Sequence, residues 1–317
     1  MSALSASLAA ALDNRGSHGS FFAVPCMSAS VSICSLADID FVLSSLPAQS
    51  FSRFFQPFFV TSALSDTACH VDVAGPAPEL ARLRTEGAWN FTESNGYACV
   101  TGADPEGVVL WRMSGQAPYD ALRFEWHPTA FEPMYRNETY GMYGIIVIIA
   151  LVLRLLPLGG LILHGSAQVL DGAGIICTGP SGRGKSTISR LFDQSGVTVL
   201  TDERPIVRPV GGDPATGFRM YGSPWPSSGN YALPGSAPLR KIYFLEHGPE
   251  NTLVPLTKRE AVLQLLDVAM VPWIAKAFFD PLISTLEGLL EHVPYALLRF
   301  RPDMSAVDAV RRDLSLV

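Results

Sequence analysis

The stretch GPSGRGKST at residues 179 to 187 limits what this chain can fold into more than any other segment. Gly179, Gly184, Lys185 and Ser186 satisfy G-x-x-x-x-G-K-[ST], a pattern with structural meaning where a strand enters it and a helix leaves it. Both are expected here. AGIICTG at 173 to 179 reads as a strand, and KSTISRLFDQSG reads as a helix stopped at Gly196 in the usual C-terminal glycine position. Glycines let successive amides turn inward toward phosphate oxygens, and the helix adds the positive end of its dipole. A nucleoside triphosphate with magnesium is therefore the expected ligand of Gly179, Pro180, Ser181, Gly182, Arg183, Gly184, Lys185, Ser186 and Thr187. Lys185 is expected at the β- and γ-phosphates and Ser186 on Mg2+.

With 317 residues the chain has length for two domains. Residues 1 to 135 and 136 to 317 are the natural halves. The first alternates short β-prone runs with turns, at 30 to 36, 57 to 63, 70 to 75 and 97 to 102, and its clearest element is a hairpin of GVVLWRMS and DALRFEWH. In the second arm Leu122, Phe124 and Trp126 share one face and Arg123, Glu125 and His127 the other. This half is expected to be a β-rich domain for acceptor or partner recognition.

The second half reads as α/β. An apolar helix at about 139 to 156 leads to the strand LILHG, and after the glycine loop come strands VTVL, KIYFLE and YALLRF. Residues 257 to 290 look largely helical, and a last helix opens with Ser305 and Asp308 at capping-box spacing.

Composition excludes several classes. A formal net charge of -6 offers no broad positive field for nucleic acid. Hydrophobic residues at 48% against 16% charged are too many for a disordered chain. The most membrane-like stretch, 144 to 163, carries Arg154 and Pro157 in its middle, so no membrane span is expected. The first twenty residues lack the charged opening and apolar core of a secretory signal, and five scattered cysteines show no metal or disulfide spacing. A cytoplasmic setting is the expectation.

Chemistry concentrates beside the glycine loop. Asp202 and Glu203 end the strand after the loop's helix, where open α/β sheets gather ligand-handling groups. One of the two can hold the metal while the other accepts a proton from an attacking hydroxyl. His164 ends the neighbouring strand, Arg183 and Arg204 are candidate transition-state cations, and Glu246 is a further strand-terminal acid.

Taken together, LHGSAQVLDGAGIICTGPSGRGKSTISRLFDQSGVTVLTDERPIV, residues 163 to 207, resembles the catalytic core of the HPr kinase/phosphorylase family, whose fold is related to phosphoenolpyruvate carboxykinase. Residues 221 to 248 look like the HPr-kinase-related proteins outside sugar regulation, some of which phosphorylate a precursor peptide. The resemblance covers about 155 to 250 and none of 1 to 135. It implies a P-loop kinase core in which Asp202 matches the family's first acidic residue, His164 its phosphate-side histidine, and Lys185 and Ser186 its P-loop pair; with the residues read above, the catalytic candidates are Asp202, Glu203, His164 and Arg204, and the metal candidates Ser186, Asp202 and Glu203. Glu203 stands where the family more often has aspartate, so which acid is the base stays open, and phosphorylase activity is not expected.

The leading expectation is thus an ATP-dependent kinase acting on a hydroxyl of a peptide, protein or small molecule. A nucleotide-dependent switch or assembly ATPase is the alternative. The ring assemblies of the bifunctional relatives make a homo-oligomer one expected state.

Overall fold

The computed structural model describes residues 31–44, 52–61, 67–86, 88–127, 141–270 and 276–315. The expected domain boundary at 135/136 and the reading of the first twenty residues fall outside them. Two compact units divide the chain, Met1–Asn90 with Ser94–Ala150 and Phe91–Glu93 with Leu151–Val317. The whole is mixed α/β, with large sheets and few helices among the described residues.

The first sheet comprises the described strands β1 (Val31–Leu36), β2 (Ile39–Ser44), β3 (Phe59–Val60), β4 (Ala68–Pro76), β5 (Trp89–Ser94), β6 (Tyr97–Ala103), β7 (Val109–Gln116) and β8 (Ala121–Trp126), all in the first unit except Phe91–Glu93 of β5. They form one sheet in the order β3-β1-β2-β4-β8-β7-β6-β5. A two-residue turn, Ala37 and Asp38 with φ of 54 and 56, closes β1 on β2 and pairs Leu36 with Ile39. The pairs β2 with β4 and β4 with β8 are parallel. The expected hairpin is β7 with β8, Trp111 facing Trp126 and Met113 facing Phe124. Leu122, Phe124 and Trp126 are buried as their alternation requires. Glu125, expected on the open face, is buried because Arg112 binds its carboxylate at 2.7 Å and covers it. Of the strand expected over 57 to 63, Phe59 and Val60 form β3, Pro57 belongs to a 3-10 turn at Gln56–Phe58, and 62 and 63 lie outside the described residues.

Helix α1 (Gly141–Leu155) is mostly buried beyond its first turn, with Ile145, Val152 and Arg154 half-buried, as expected of a largely apolar helix. It ends where Pro157 enters a 3-10 turn at Leu156–Leu158. Among the described residues no helix is long and apolar enough to cross a membrane.

The second unit is built on β9 (Leu161–Leu163), β10 (Gly165–Leu170), β11 (Ala173–Thr178), β12 (Thr198–Thr201), β13 (Ile206–Pro209), β14 (Phe218–Tyr221), β15 (Ser236–His247), β16 (Thr252–Val254), β17 (Ala269–Met270) and β18 (Tyr295–Phe300). The long β15 joins two groups: its start pairs with β14, and its later residues lie parallel between β11 and β18. Beyond β11 come β10 and then β12, both pairings antiparallel.

Helix α2 (Lys185–Gln194) follows the glycine loop, and α5 (Ser305–Leu314) closes the chain. Between them in sequence lie α3 (Lys258–Val268) and α4 (Lys276–His292). Ile188, Leu191 and Phe192, spaced for one helix face, share a core with Ala306, Val307 and Val310 of α5 and with Ile175, Tyr243 and Phe300 of the sheet. Each such large side chain contributes about 1.5–3 kcal/mol on burial. Lys241 and Tyr243 of β15 both bind Asp313, at 2.7 and 2.6 Å, and fasten α5 to the sheet.

The stop of α2 at Gly196 is a paired cap: Val197 donates to the Phe192 carbonyl and Gly196 to that of Asp193. The stretch expected to be largely helical, 257 to 290, holds α3 and α4, with β17 directly after α3. One other expectation is corrected. Ser305 and Asp308 make no capping box, because the N-cap is Met304, whose carbonyl takes the Asp308 amide, while the Ser305 amide and hydroxyl donate to Asp303. The box stands at α3 instead, between Thr257 and Glu260.

Candidate functional site

Strand polarity gathers the site. Because β10 runs against both β11 and β12, its start lies beside their ends, Gly165 opposite Thr178 and Ala167 opposite Thr201. His164, the loop after Thr178, and the acids after Thr201 therefore share one end of the sheet. Backbone and side-chain bonds fix this: the Thr178 hydroxyl donates to the His164 carbonyl at 2.8 Å, Gly165 donates to the Glu203 carbonyl at 3.1 Å, and His164 donates to Val268 at 2.7 Å.

The loop itself runs from Gly179 to Gly184. Gly184 has φ +93, and a Cβ there would lie 2.6 Å from Phe300 and 2.9 Å from His247, so a side chain is excluded by conformation and by space. Lys185 opens α2 and folds its ammonium back into the loop, donating to the carbonyls of Gly179 at 2.7 Å and Pro180 at 3.0 Å. Burial lowers its pKa, and the charge of Glu203 opposes that shift. Ser186 and Thr187 follow, half-buried, in the first turn.

The two acids differ sharply. Asp202 is 1% exposed, and each of its oxygens accepts an amide at 2.8 Å, Oδ1 from Ser227 and Oδ2 from Gly229. Burial raises its pKa, only partly offset by those amides. Glu203 keeps its carboxylate partly exposed, with His164 Nδ1 at 3.4 Å and Arg204 at 3.8 Å. Burial pushes Glu203 upward too, but the His164 contact, with Arg204 and Lys185, outweighs it and holds the group below its ordinary range. Arg204 also reaches the sulfur of Met270 at 3.5 Å.

The segment that clamps Asp202 is firmly held. Tyr231 donates to Asp193 of α2 at 2.9 Å, Leu233 donates to Leu200 at 2.8 Å, and Trp225 is fully buried. Burial and the Asp193 bond push the Tyr231 hydroxyl up to about 12, so it stays a donor through the neutral range. Gly229 is needed for the close approach: a Cβ would fall 2.5 Å from Asp202 Oδ2 and 2.6 Å from the Tyr231 ring. Gly229→Ala should therefore cost about 1–3 kcal/mol by overpacking, read as a lower denaturation midpoint of the second unit. An unchanged midpoint would mean that the clamp is not rigid.

Arg183 and Glu246 belong to the other flank of the loop. Arg183 lies 3.8 Å from Glu246, whose other oxygen accepts from Arg299 at 2.7 Å. The Arg299 bond holds the Glu246 carboxyl below its ordinary range. His164, Glu203, Arg204 and Lys185 thus face one flank, while Arg183 stands with Glu246 on the opposite one. Sequence reasoning missed Ser227, Gly229 and His247. Their partners lie 25, 27 and 65 residues away, and no local pattern marks such pairs.

No protein-family profile matches the chain, and no curated protein matches it. Among solved structures, the HPr(Ser) kinase/phosphatase from Coxiella burnetii is similar over 49% of this chain and 92% of that one, at 13% identity and a TM-score of 0.27.

Proposed function

We propose that the second unit is an Mg-ATP-dependent kinase that transfers the γ-phosphate to a hydroxyl on a peptide, protein or small molecule. The observation that carries this reading is a convergence at one end of one sheet. A glycine loop with its lysine turned inward stands beside a partly exposed carboxylate, Glu203, that has His164 at 3.4 Å. The resemblance of residues 163 to 207 to HPr kinase/phosphorylase cores points the same way.

Phosphoryl transfer asks a protein for positioning and charge more than for covalent chemistry. The loop amides and Lys185 bind the phosphates. The acceptor oxygen attacks the γ-phosphorus, the bond to the β,γ-bridging oxygen breaks, ADP leaves, and the hydroxyl proton passes to Glu203. The raised pKa of Asp202 would suit a base, but at 1% exposure with both oxygens accepting amides it is the wrong acid for an incoming hydroxyl. Asp202 is the acid that holds the 222–235 segment; Glu203 meets the acceptor. His164 orients the Glu203 carboxylate, and Arg204 balances charge on that flank.

Magnesium that arrives with a nucleotide needs only one or two protein oxygens besides phosphate and water. The Ser186 hydroxyl, in the first turn of α2, would be the protein donor of that kind, which leaves the Glu203 carboxylate free as the base, and the ion held there would neutralise charge on the phosphates. Recognition of the acceptor falls to the β-rich first unit in this reading.

Incubating the full chain with γ-labelled ATP, magnesium and pools of hydroxyl-bearing peptides and small molecules tests the proposal. Label should move to an acceptor. Labelled inorganic phosphate with every acceptor unlabelled would favour the switch ATPase, and unconsumed ATP would sink the enzymatic reading.

A further inference from the structure

A loop that presents its amides to a ligand is held in that shape where donors fix the carbonyls of its peptide planes. Inside the glycine loop the backbone supplies one such bond, from the Arg183 amide to the Pro180 carbonyl at 3.3 Å. The carbonyl of Gly182, at the loop's apex, is met from outside by the ring of His247, whose Nε2 lies 3.1 Å away. A carbonyl can only accept, so Nε2 carries the proton in this contact.

His247 is the last residue of β15, three beyond the Phe244 that pairs with Thr178 at the end of β11, and strand pairing thereby carries its ring alongside the loop. The ring is itself backed by Phe300, fully buried, at 5.4 Å between centroids and 32° between planes. Gly184 rests against both rings, as its excluded Cβ shows. The loop thus leans at one glycine on a two-ring platform and is tied by the outer ring at another.

We infer that His247 is a positioning residue for the phosphate loop: through the Gly182 carbonyl it holds the loop in the shape that presents amides to a triphosphate. This rests on the nucleotide reading of the loop. His247 acts on the ligand only through the backbone, so it should affect every ligand that uses those amides, whether or not a nucleoside is attached.

Two substitutions separate the bond from the ring. His247→Phe keeps a ring against Phe300 and loses the donor. His247→Gln gives up the ring but places an amide N–H at nearly the reach of Nε2. Affinity is read from the thermal shift of the full chain titrated with Mg-ATP and, separately, with magnesium tripolyphosphate. His247→Phe should need about threefold to tenfold more of either ligand, the span of one hydrogen bond, with an unliganded melting temperature near that of the wild type. His247→Gln should bind close to the wild type. Wild-type affinity in His247→Phe overturns the inference, as does a Gln variant as weak as the Phe one. A loss confined to ATP would mean that the ring touches the nucleoside, which also overturns it. If the wild-type chain itself shows no shift with either ligand, the nucleotide reading fails and the inference falls with it.

Discussion

Lys185→Ala is expected to abolish the thermal stabilisation that Mg-ATP gives the second unit. The Lys185 ammonium is buried and already held by the carbonyls of Gly179 and Pro180, so it is preset to meet phosphate oxygens as the one buried cation of the loop. A ligand at a hundred times its Kd stabilises by about 2.7 kcal/mol, which in a domain of this size moves the melting temperature by roughly 5–10 °C. The variant should lose that shift while melting near the wild type without nucleotide, since its two lysine bonds are to carbonyls that can turn to water. A full shift in Lys185→Ala would remove the loop from consideration as the nucleotide site.

Glu203→Gln should lower phosphoryl transfer by about a hundredfold to ten-thousandfold, the usual contribution of a general base, with the Mg-ATP thermal shift retained within a few degrees. Asp202→Asn should behave differently. Its new NH2 would face an amide N–H of Ser227 or Gly229 in place of an acceptor. Leaving one buried donor unpaired costs about 1–3 kcal/mol, so the principal effect is on folding stability and on the 222–235 segment. Measuring rate, nucleotide shift and denaturation midpoint on both variants separates the roles. An inactive Asp202→Asn of normal stability beside an active Glu203→Gln would reverse the assignment, and full activity in both would end the mechanism.

The two acids also show where sequence reading stops. Adjacent in the chain just after β12, Asp202 and Glu203 are not told apart by their position at the strand's end. Alternation along a strand sends one side chain inward and the next outward, but which one meets a ligand depends on what packs against each. That was decided by Ser227 and Gly229, 25 and 27 residues on from Asp202. The same holds at Ser305: its spacing to Asp308 fits a capping box, yet the N-cap is Met304 and the Ser305 donors go to Asp303.

What the sequence determined by itself is local. The β11 strand, the glycine loop, the α2 helix and its stop at Gly196 follow from backbone dihedrals that only glycine tolerates and from apolar periodicity within a few residues. The inward face of β8, Leu122, Phe124 and Trp126, follows from strand alternation in the same way, whereas the burial of Glu125 on its other face was set by Arg112 from β7. Tertiary structure alone decided the rest: the parallel places of β4 between β2 and β8, the antiparallel insertion of β10 that brings His164 to Glu203, and the reach of His247 across 65 residues to Gly182. Strand order and register are set by how whole faces bury against one another, and that free energy is a sum over distant residues that no short window of the chain contains.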